Sequence, residues 1–278
     1  MDLQSGSATS LGVAGLRAAH QLIDGEPKIL RDPVILRLLQ PSYLDHIQNN
    51  PETFREPRLN QLRSHVVLRS RYTEDRLADA YARGIRQYLL LGAGLDTYAW
   101  RQAPGLGSLR IFEIDHPATQ EKKLLRLVEA GMAAPENCRF VPIDFESTSL
   151  KDGLAKSAFD PSIPCFVSWL GVTVYLSMEA IDAVLAFIAS LPAGSEMVFT
   201  FSQKKLYEGP GSTADLVARA GEPWITYFTP KELFRKLKGH GFSTVDFLLP
   251  EEAMKTYYYG RTDGLPAPLQ ITIARIVV

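Results

Sequence analysis

Cysteine is scarce in this 278-residue chain, which contains only Cys138 and Cys165. The two lie far apart and outside any CxxC or Cys/His spacing, so neither a disulfide framework nor a zinc site is indicated. Net charge is also small, −1 at pH 7, and gives no electrostatic signal for nucleic acid or an anionic membrane. We expect two buried thiols, no bound metal, and neither nucleic acid nor a membrane as a partner.

Long hydrophobic runs are absent as well. No stretch approaches the roughly 18 apolar residues that a membrane span needs. The N-terminus lacks a basic segment followed by an apolar one, the pattern of a secretory signal, so a cytoplasmic protein is expected. With 46% hydrophobic and 22% charged residues, the composition is that of a globular chain able to bury a sizeable core. The oligomeric state is not indicated.

A short apolar run breaks into glycines within residues 87–100, QYLLLGAGLDTYAW. Tyr88–Leu91 is too short for a self-burying helix, which favours a buried strand. Gly92 and Gly94 suit a loop whose backbone comes close to a ligand, and a helix is predicted to begin near Tyr98. Taken alone, this pattern fits an ordinary strand-to-helix turn as well as a nucleotide loop.

The part of the chain before this strand has helical periodicity. Helices are predicted at residues 9–23, 33–39 and 59–71, and from a cap at Thr73 onward. No strand is evident before Gly84, which stands where a glycine ends the last of these helices. We therefore predict an N-terminal helical cap or lid at residues 1–83, covering the mouth of a site in an α/β core at residues 84–278.

From residue 87 onward, predicted strands alternate with helices, the pattern of an open and mostly parallel sheet. Six further strands are predicted at residues 109–115, 139–143, 164–170, 195–201, 242–249 and 271–278. Helices are predicted at residues 117–130, 178–191 and 230–239, and an insertion at residues 202–228. The fold class is therefore α/β, Rossmann-like, with seven strands, helices on both faces, and the helical cap in the same compact unit.

Acidic residues follow the next two strands, at the edge where the glycines are expected. Asp115 comes about twenty positions after Gly94, the spacing at which a carboxylate accepts hydrogen bonds from ribose hydroxyls. Asp144 follows the third strand and can reach the exocyclic amine of an adenine. Because the carboxyl ends of parallel strands share one edge, these residues outline a bound adenosine.

Two cofactor classes contain that adenosine. A dinucleotide site calls for a third glycine and a helix N-terminus that faces pyrophosphate. Here Thr97 occupies the glycine position, and Asp96 would bring negative charge towards the phosphates. S-adenosylmethionine has a sulfonium, an amine and a carboxylate instead, so it fits better. The arginine-rich segment that ends at Arg71 can supply a cation for its carboxylate.

Longer motifs run through most of the chain. They are RAAHQLIDGEPKILRDP (17–33), RSRYTEDRL (69–77), GIRQYLLLGAGLDTYAWR (84–101), IFEIDHPATQEKK (111–123), VPIDF (141–145), WLGVTVYLS (169–177) and YYGRTDGLP (258–266). With these motifs the chain resembles the leucine carboxyl methyltransferase family, in particular its bacterial branch of class I S-adenosylmethionine-dependent methyltransferases. The resemblance implies an O-methyltransferase that uses S-adenosylmethionine.

The resemblance also implies roles for single residues. It places Arg71 on the methionyl carboxylate, Asp115 on the ribose, and Asp144 with the Phe145 backbone on the adenine. The complete predicted cofactor set is Arg71, Gly92, Ala93, Gly94, Asp115, His116, Asp144, Phe145, Trp169 and Leu170. Two positions depart from the family pattern: Tyr98 replaces an arginine, and Leu170 replaces a glutamate of the strand-four motif. Trp169 is one residue that can replace the lost carboxylate contact.

The methyl acceptor is expected to be a small molecule with a carboxylate or a hydroxyl. A carboxylate needs no base, whereas an alcohol or phenol needs one, and no histidine stands out for that role, so the catalytic residues are left open. The aromatic residues predicted to wall an acceptor pocket, or equally to pack the fold, are Tyr175, Tyr207, Trp224, Tyr227 and Tyr258. The alternatives are a non-catalytic regulator that binds S-adenosylmethionine and an NAD-linked oxidoreductase.

Overall fold

A computed structural model describes residues 8–102, 107–203, 212–219 and 221–278. Its α-helices are α1 (Ala8–Ile23), α2 (Pro41–Asn49), α3 (Pro51–Arg55), α4 (Pro57–Ala82), α5 (Tyr98–Arg101), α6 (Pro117–Glu129), α7 (Leu150–Leu154), α8 (Met178–Ala189), α9 (Thr213–Arg219), α10 (Pro230–Gly239) and α11 (Pro250–Ala253). Its strands are β1 (Gln87–Leu91), β2 (Arg110–Asp115), β3 (Cys138–Pro142), β4 (Phe166–Trp169), β5 (Glu196–Thr200), β6 (Thr244–Phe247) and β7 (Ile273–Val277).

The seven strands form one sheet in the order β3-β2-β1-β4-β5-β7-β6. The first five strands, β1 to β5, pair with one another in parallel. Strand β7 runs antiparallel to both of its neighbours, β5 and β6. Leu91 at the end of β1 is in register with Ile114 of β2 and Trp169 of β4, so three carboxyl ends meet at one place. The predicted seven-stranded, mostly parallel sheet is confirmed.

The central strand β1 is buried along its whole length, because helices cover both faces of the sheet. Leu89 and Leu91 pack into one hydrophobic core together with α8, whereas Tyr88 and Leu90 pack into the core on the opposite face. A side-chain period of two explains this division. It also explains why β1 is a continuous apolar run rather than an alternating one.

Local chemistry accounts for several element boundaries. Helix α4 ends at Ala82 and is followed by Gly84 with φ of +106°, as predicted from the glycine. Helix α10 begins with the predicted Thr229 cap, whose side chain and that of Glu232 bond reciprocally to each other's backbone N–H.

Among the described residues, no helix is both long and apolar enough to cross a membrane.

Two predicted helices differ from the structure. Helix α4 runs unbroken through Thr73, because that hydroxyl donates to the carbonyl of Arg69 at 2.7 Å and so is satisfied within the helix. The predicted cap at Thr73 is therefore wrong. Residues 33–39 contain only a short 3₁₀ turn at Ile35–Arg37, although Asp32 does accept a hydrogen bond from the Ile35 N–H. Helices α2 and α3 were not predicted.

Candidate functional site

A cavity of about 400 Å³ lies at the carboxyl ends of β1, β2 and β4, and we call it the proximal cavity. The loop Gly92–Leu95 after β1 forms its floor. Helix α1 forms a wall, to which it contributes Thr9, Ser10, Val13, Ala14 and Arg17. The N-terminal helical segment therefore contributes one wall of this cavity; its role as a cap or lid stays a prediction.

The two loop glycines are required by the shape of this cavity. Gly92 has φ of +70°, and a Cβ there would stand 2.2 Å from Cγ2 of Val172. Gly94 has φ of +49°, and its missing side chain lets Ser10 of α1 approach, since a Cβ would lie 3.2 Å from Ser10 Cβ. Larger residues at either position would be strained and would displace a wall of the cavity.

Asp115 stands at the end of β2 and lines the proximal cavity. Its carboxylate accepts hydrogen bonds from the backbone N–H groups of Gly94 and His116. Burial raises the pKa of Asp115, although those two N–H donors oppose the shift. His116 lines the same cavity, and its Nδ1 accepts from the Ala118 N–H at the start of α6, which leaves the ring proton on Nε2.

Asp144 and Phe145 lie beyond β3 and also line the proximal cavity. The Asp144 carboxylate closes a turn by accepting from the Glu146 N–H and the Ser147 hydroxyl, both at 3.0 Å. The Phe145 ring packs near Trp169, with 6.4 Å between the centroids. Both residues therefore lie at the cavity, and their contact with an adenine stays a prediction.

A buried ionic cluster fixes α1 against the glycine loop. Arg17 pairs with Asp32 at 2.7 Å and with Asp96 at 2.9 Å. Arg101 pairs with Asp32 at 3.1 Å and with Glu74 of α4 at 2.6 Å. Although burial opposes ionisation, the positive charges of Arg17, Arg101 and a nearby lysine lower the pKa of Asp96 to about 2. Asp96 is therefore a carboxylate at neutral pH and lines the cavity.

The predicted position of Arg71 does not match the structure. Its side chain is 47% exposed, pairs with Asp75 at 2.9 Å, and lies outside the residues that line the proximal cavity. Arg69, two residues earlier, lines the cavity instead. The guanidinium of Arg69 packs against Gly171, where a Cβ would stand 2.7 Å from Nη1. Two residues along a helix turn a side chain by about 200°, so Arg69 faces the cavity and Arg71 points away from it.

Trp169 ends β4, and Leu170, which follows it directly, packs on the opposite face of the sheet. Leu170 and Ser168 line the proximal cavity, whereas Trp169 is fully buried on the other face and packs against Phe199. The expectation that Trp169 contacts the cofactor is therefore not supported by its position. Among the described residues, its indole Nε1 has no hydrogen-bond partner.

A second cavity of about 450 Å³ adjoins the first, and we call it the distal cavity. The two cavities share five lining residues, Thr9, Val13, Arg69, Gly171 and Tyr175. Helices α1 and α4, the end of β5 and the segment that carries Trp224 supply its walls. We call the shared boundary at Arg69, Gly171 and Tyr175 the junction.

The five predicted acceptor aromatics have different positions. Tyr175 lies at the junction and Trp224 lines the distal cavity. Tyr227 lines neither cavity, and its hydroxyl donates to the Trp224 carbonyl at 3.4 Å. Tyr258 is buried against Ser64, with 2.6 Å between the hydroxyl oxygens, so it packs the fold instead of an acceptor. Tyr207 lies outside the described residues.

Sequence reasoning did not identify the α1 residues or Arg69 as residues that line the cavity. A signal was present, because the motif at residues 17–33 begins with Arg17 and includes Asp32, and that at residues 69–77 begins with Arg69. Within the described ranges, no group of three His, Cys, Asp or Glu side chains is arranged to hold a metal ion.

Comparisons with known proteins bear on the family and the fold. Residues 10–189 match the model of the leucine carboxyl methyltransferase family. A Bacillus subtilis protein named "Putative S-adenosyl-L-methionine-dependent methyltransferase YktD" is 32% identical over 231 residues, covering 80% of this chain and 76% of that protein. SCO7813 of Streptomyces coelicolor, with the same functional name, is 32% identical over 268 residues, covering 91% and 88%. The fold resembles the crystal structure of a DUF574 family protein from Streptomyces avermitilis, with a TM-score of 0.54 at 17% identity, over 99% of this chain and 98% of that one.

Proposed function

The chain belongs to the leucine carboxyl methyltransferase family, and from that premise we propose that it methylates a carboxylate or hydroxyl oxygen of a small molecule. That it is an S-adenosylmethionine-dependent methyltransferase follows from the family and from the relatives. The NAD-linked alternative is wrong for the same reason. The identity of the acceptor is the proposal.

The proximal cavity fits S-adenosylmethionine on chemical grounds. Asp115 presents a buried carboxylate to the cavity, where it can accept hydrogen bonds from ribose hydroxyls. Arg69 offers a guanidinium for the methionyl carboxylate, and Asp96 offers negative charge near the amine. When bound, this cofactor supplies an electrophilic methyl group carried on a sulfonium.

One observation carries the proposal: the distal cavity lies next to the proximal one and shares five lining residues with it, three of them at the junction. A methyltransferase must hold its acceptor beside the cofactor, and much of its rate enhancement can come from that positioning. Helix α1 walls both cavities, and Val172 closes over Gly92.

Calorimetry with S-adenosylhomocysteine tests the cofactor assignment. We expect binding to the wild-type chain and a loss of at least about tenfold in affinity for Asp115→Asn, because the variant lacks the charge that strengthens a hydrogen bond from ribose. The matched control is Asp45→Asn, which changes an exposed carboxylate on α2. Equal affinity in wild type and Asp115→Asn, or no binding at tens of micromolar, would contradict the assignment.

A second candidate function is a non-catalytic regulator that binds S-adenosylmethionine. The observation that favours it is Leu170, which lines the proximal cavity where the family pattern carries a glutamate. The two functions are separated by methyl transfer from radiolabelled cofactor to a panel of small carboxylic acids, alcohols and phenols. Transfer to any member of the panel removes the regulator.

A further inference from the structure

We infer that the distal cavity binds the apolar body of a neutral alcohol or phenol, whose hydroxyl donates a hydrogen bond to Nε2 of His65. The inference rests on the proposed function, because it specifies the acceptor of that same enzyme. Of the two kinds of methyl acceptor in the proposed function, a carboxylate and a hydroxyl, the inference selects the hydroxyl.

The walls of the distal cavity are mainly apolar. On α4, the lining residues are Leu59, Leu62, His65, Val66 and Arg69. Their spacing of three and four puts them on one helix face. Opposite them, α1 contributes Gly12, Val13 and Leu16, and the aromatic lining residues are Tyr43, Phe54, Tyr175, Phe201 and Trp224. A concave site of this composition favours an apolar ligand with few polar groups.

The charges of the distal cavity disfavour an ionised acceptor. Among its described lining residues none is acidic, so an ammonium group would have no counter-charge. Among the described lining residues Arg69 is the one arginine or lysine, and its guanidinium lies at the junction; the imidazoles of His46 and His65 also line the cavity. His65 lines the cavity as a neutral ring, because burial and, secondarily, the charge of Arg69 lower its pKa to about 3.

Arg69 is assigned to the cofactor side of the junction. The other arginine that lines the proximal cavity, Arg17, is held by Asp32 and Asp96. The proposal assigns the methionyl carboxylate to Arg69, which lines both cavities. A carboxylate acceptor placed deeper in the distal cavity would lose its hydration without meeting a lysine or a second arginine among the described lining residues, which is costly for a charged group.

His65 provides the matching polar group for a hydroxyl. It lies four residues, about one helical turn, from Arg69 and therefore faces the cavity next to the junction. Its Nδ1 is 3.3 Å from the hydroxyl oxygen of Thr272. This contact is compatible with either tautomer of the ring; the proposal takes the one in which Nδ1 donates to Thr272 and Nε2 is an acceptor. No described residue donates to Nε2.

Three naphthalene probes of similar size test the inference by calorimetry at pH 7.5, on the full chain with S-adenosylhomocysteine present. They are 2-naphthol, 2-naphthoate and 2-naphthylmethylammonium. We expect 2-naphthol to bind at least about tenfold more tightly than either charged probe. His65→Phe should weaken 2-naphthol about fivefold, whereas His65→Gln, which keeps an acceptor, should stay within about twofold of wild type.

A variant that fills the distal cavity tests the inference independently of His65. Leu62→Trp should weaken 2-naphthol by at least about tenfold, while the affinity for S-adenosylhomocysteine remains within about twofold. The matched control is Leu125→Trp, at a residue on α6 that is 58% exposed and lines neither cavity. It should change neither affinity.

The outcomes separate this inference from the proposed function. Equal or tighter binding of 2-naphthoate, unchanged 2-naphthol binding in Leu62→Trp, or no binding of any probe at 1 mM overturns the inference while cofactor binding persists. Loss of S-adenosylhomocysteine binding by the wild-type chain instead overturns the cofactor site, and with it the proposed function.

Discussion

Arg69 and Arg71 differ by two positions, and the structure gives them opposite surroundings. Arg69 lies at the junction between the two cavities, whereas Arg71 is half-exposed and paired with Asp75. The sequence identifies the arginine-rich segment, but helical phase depends on the packing of α4 against the sheet. Single-residue roles on a helix with a weak apolar stripe are therefore hard to predict.

The two arginines make a matched pair for mutagenesis. Arg69→Gln should weaken S-adenosylhomocysteine binding by at least about tenfold, because a charge-assisted hydrogen bond contributes about 1.5–3 kcal/mol. Arg71→Gln should change the affinity by less than about twofold. Titration calorimetry on both variants gives the comparison, and a larger loss for Arg71→Gln would restore the original assignment.

His65 should make the protein less stable in acid. Burial, with a smaller effect of Arg69, lowers its folded-state pKa from 6.5 to about 3, so below pH 6.5 the unfolded chain binds the extra proton. The contribution is complete above pH 6.5 and is lost as the pH falls. Between pH 6 and 4.5 the protonation of His65 in the unfolded chain should lower the unfolding free energy by at most about 2 kcal/mol.

Urea unfolding of wild type and His65→Gln across that pH range measures this contribution. The variant should show the shallower decline, because other groups titrate in both proteins and only the difference reports His65. His46→Gln, at an exposed ring, serves as the control. Parallel curves for wild type and His65→Gln would show that His65 does not contribute.

At the scale of elements, the strands were the easier part to predict. Each of the seven predicted strands overlaps an observed one, because buried apolar runs bounded by glycine, proline or acidic residues are distinctive. Helices α2 and α3 lack such a signal and depend on packing against α1 and α4. The predicted break at Thr73 failed because its hydroxyl bonds within the helix.

The ionic cluster between α1 and the glycine loop should be important for stability. Asp32 is fully buried and pairs with Arg17 and Arg101. Asp32→Asn leaves both guanidinium groups under-compensated, so the unfolding free energy should fall by about 3 kcal/mol or more.

Chemical denaturation provides that measurement. The control is Glu52→Gln, which removes a surface ion pair with Arg55 in which the Glu52 side chain is 82% exposed. Such a pair contributes less than about 1 kcal/mol. Equal losses for the two variants would show that the buried cluster gives no special stability.

For the whole molecule, topology made the edge of the site predictable. Three parallel strands with aligned carboxyl ends bring together Gly92, Asp115 and Leu170, and their order along the chain already suggests this. The distal cavity was not predictable, because its walls come from segments far apart in sequence. Their meeting depends on how α1 and α4 cross the sheet.

Helix α1 presents adjacent faces to two ligand spaces, with Ser10 and Arg17 on the proximal side and Gly12 and Leu16 on the distal side. A ligand that fills either cavity restrains the same rigid helix. Because both ligands contact α1, we expect the binding of one to raise the affinity for the other. Such coupling is reciprocal, so each ligand changes the affinity of the other by the same factor.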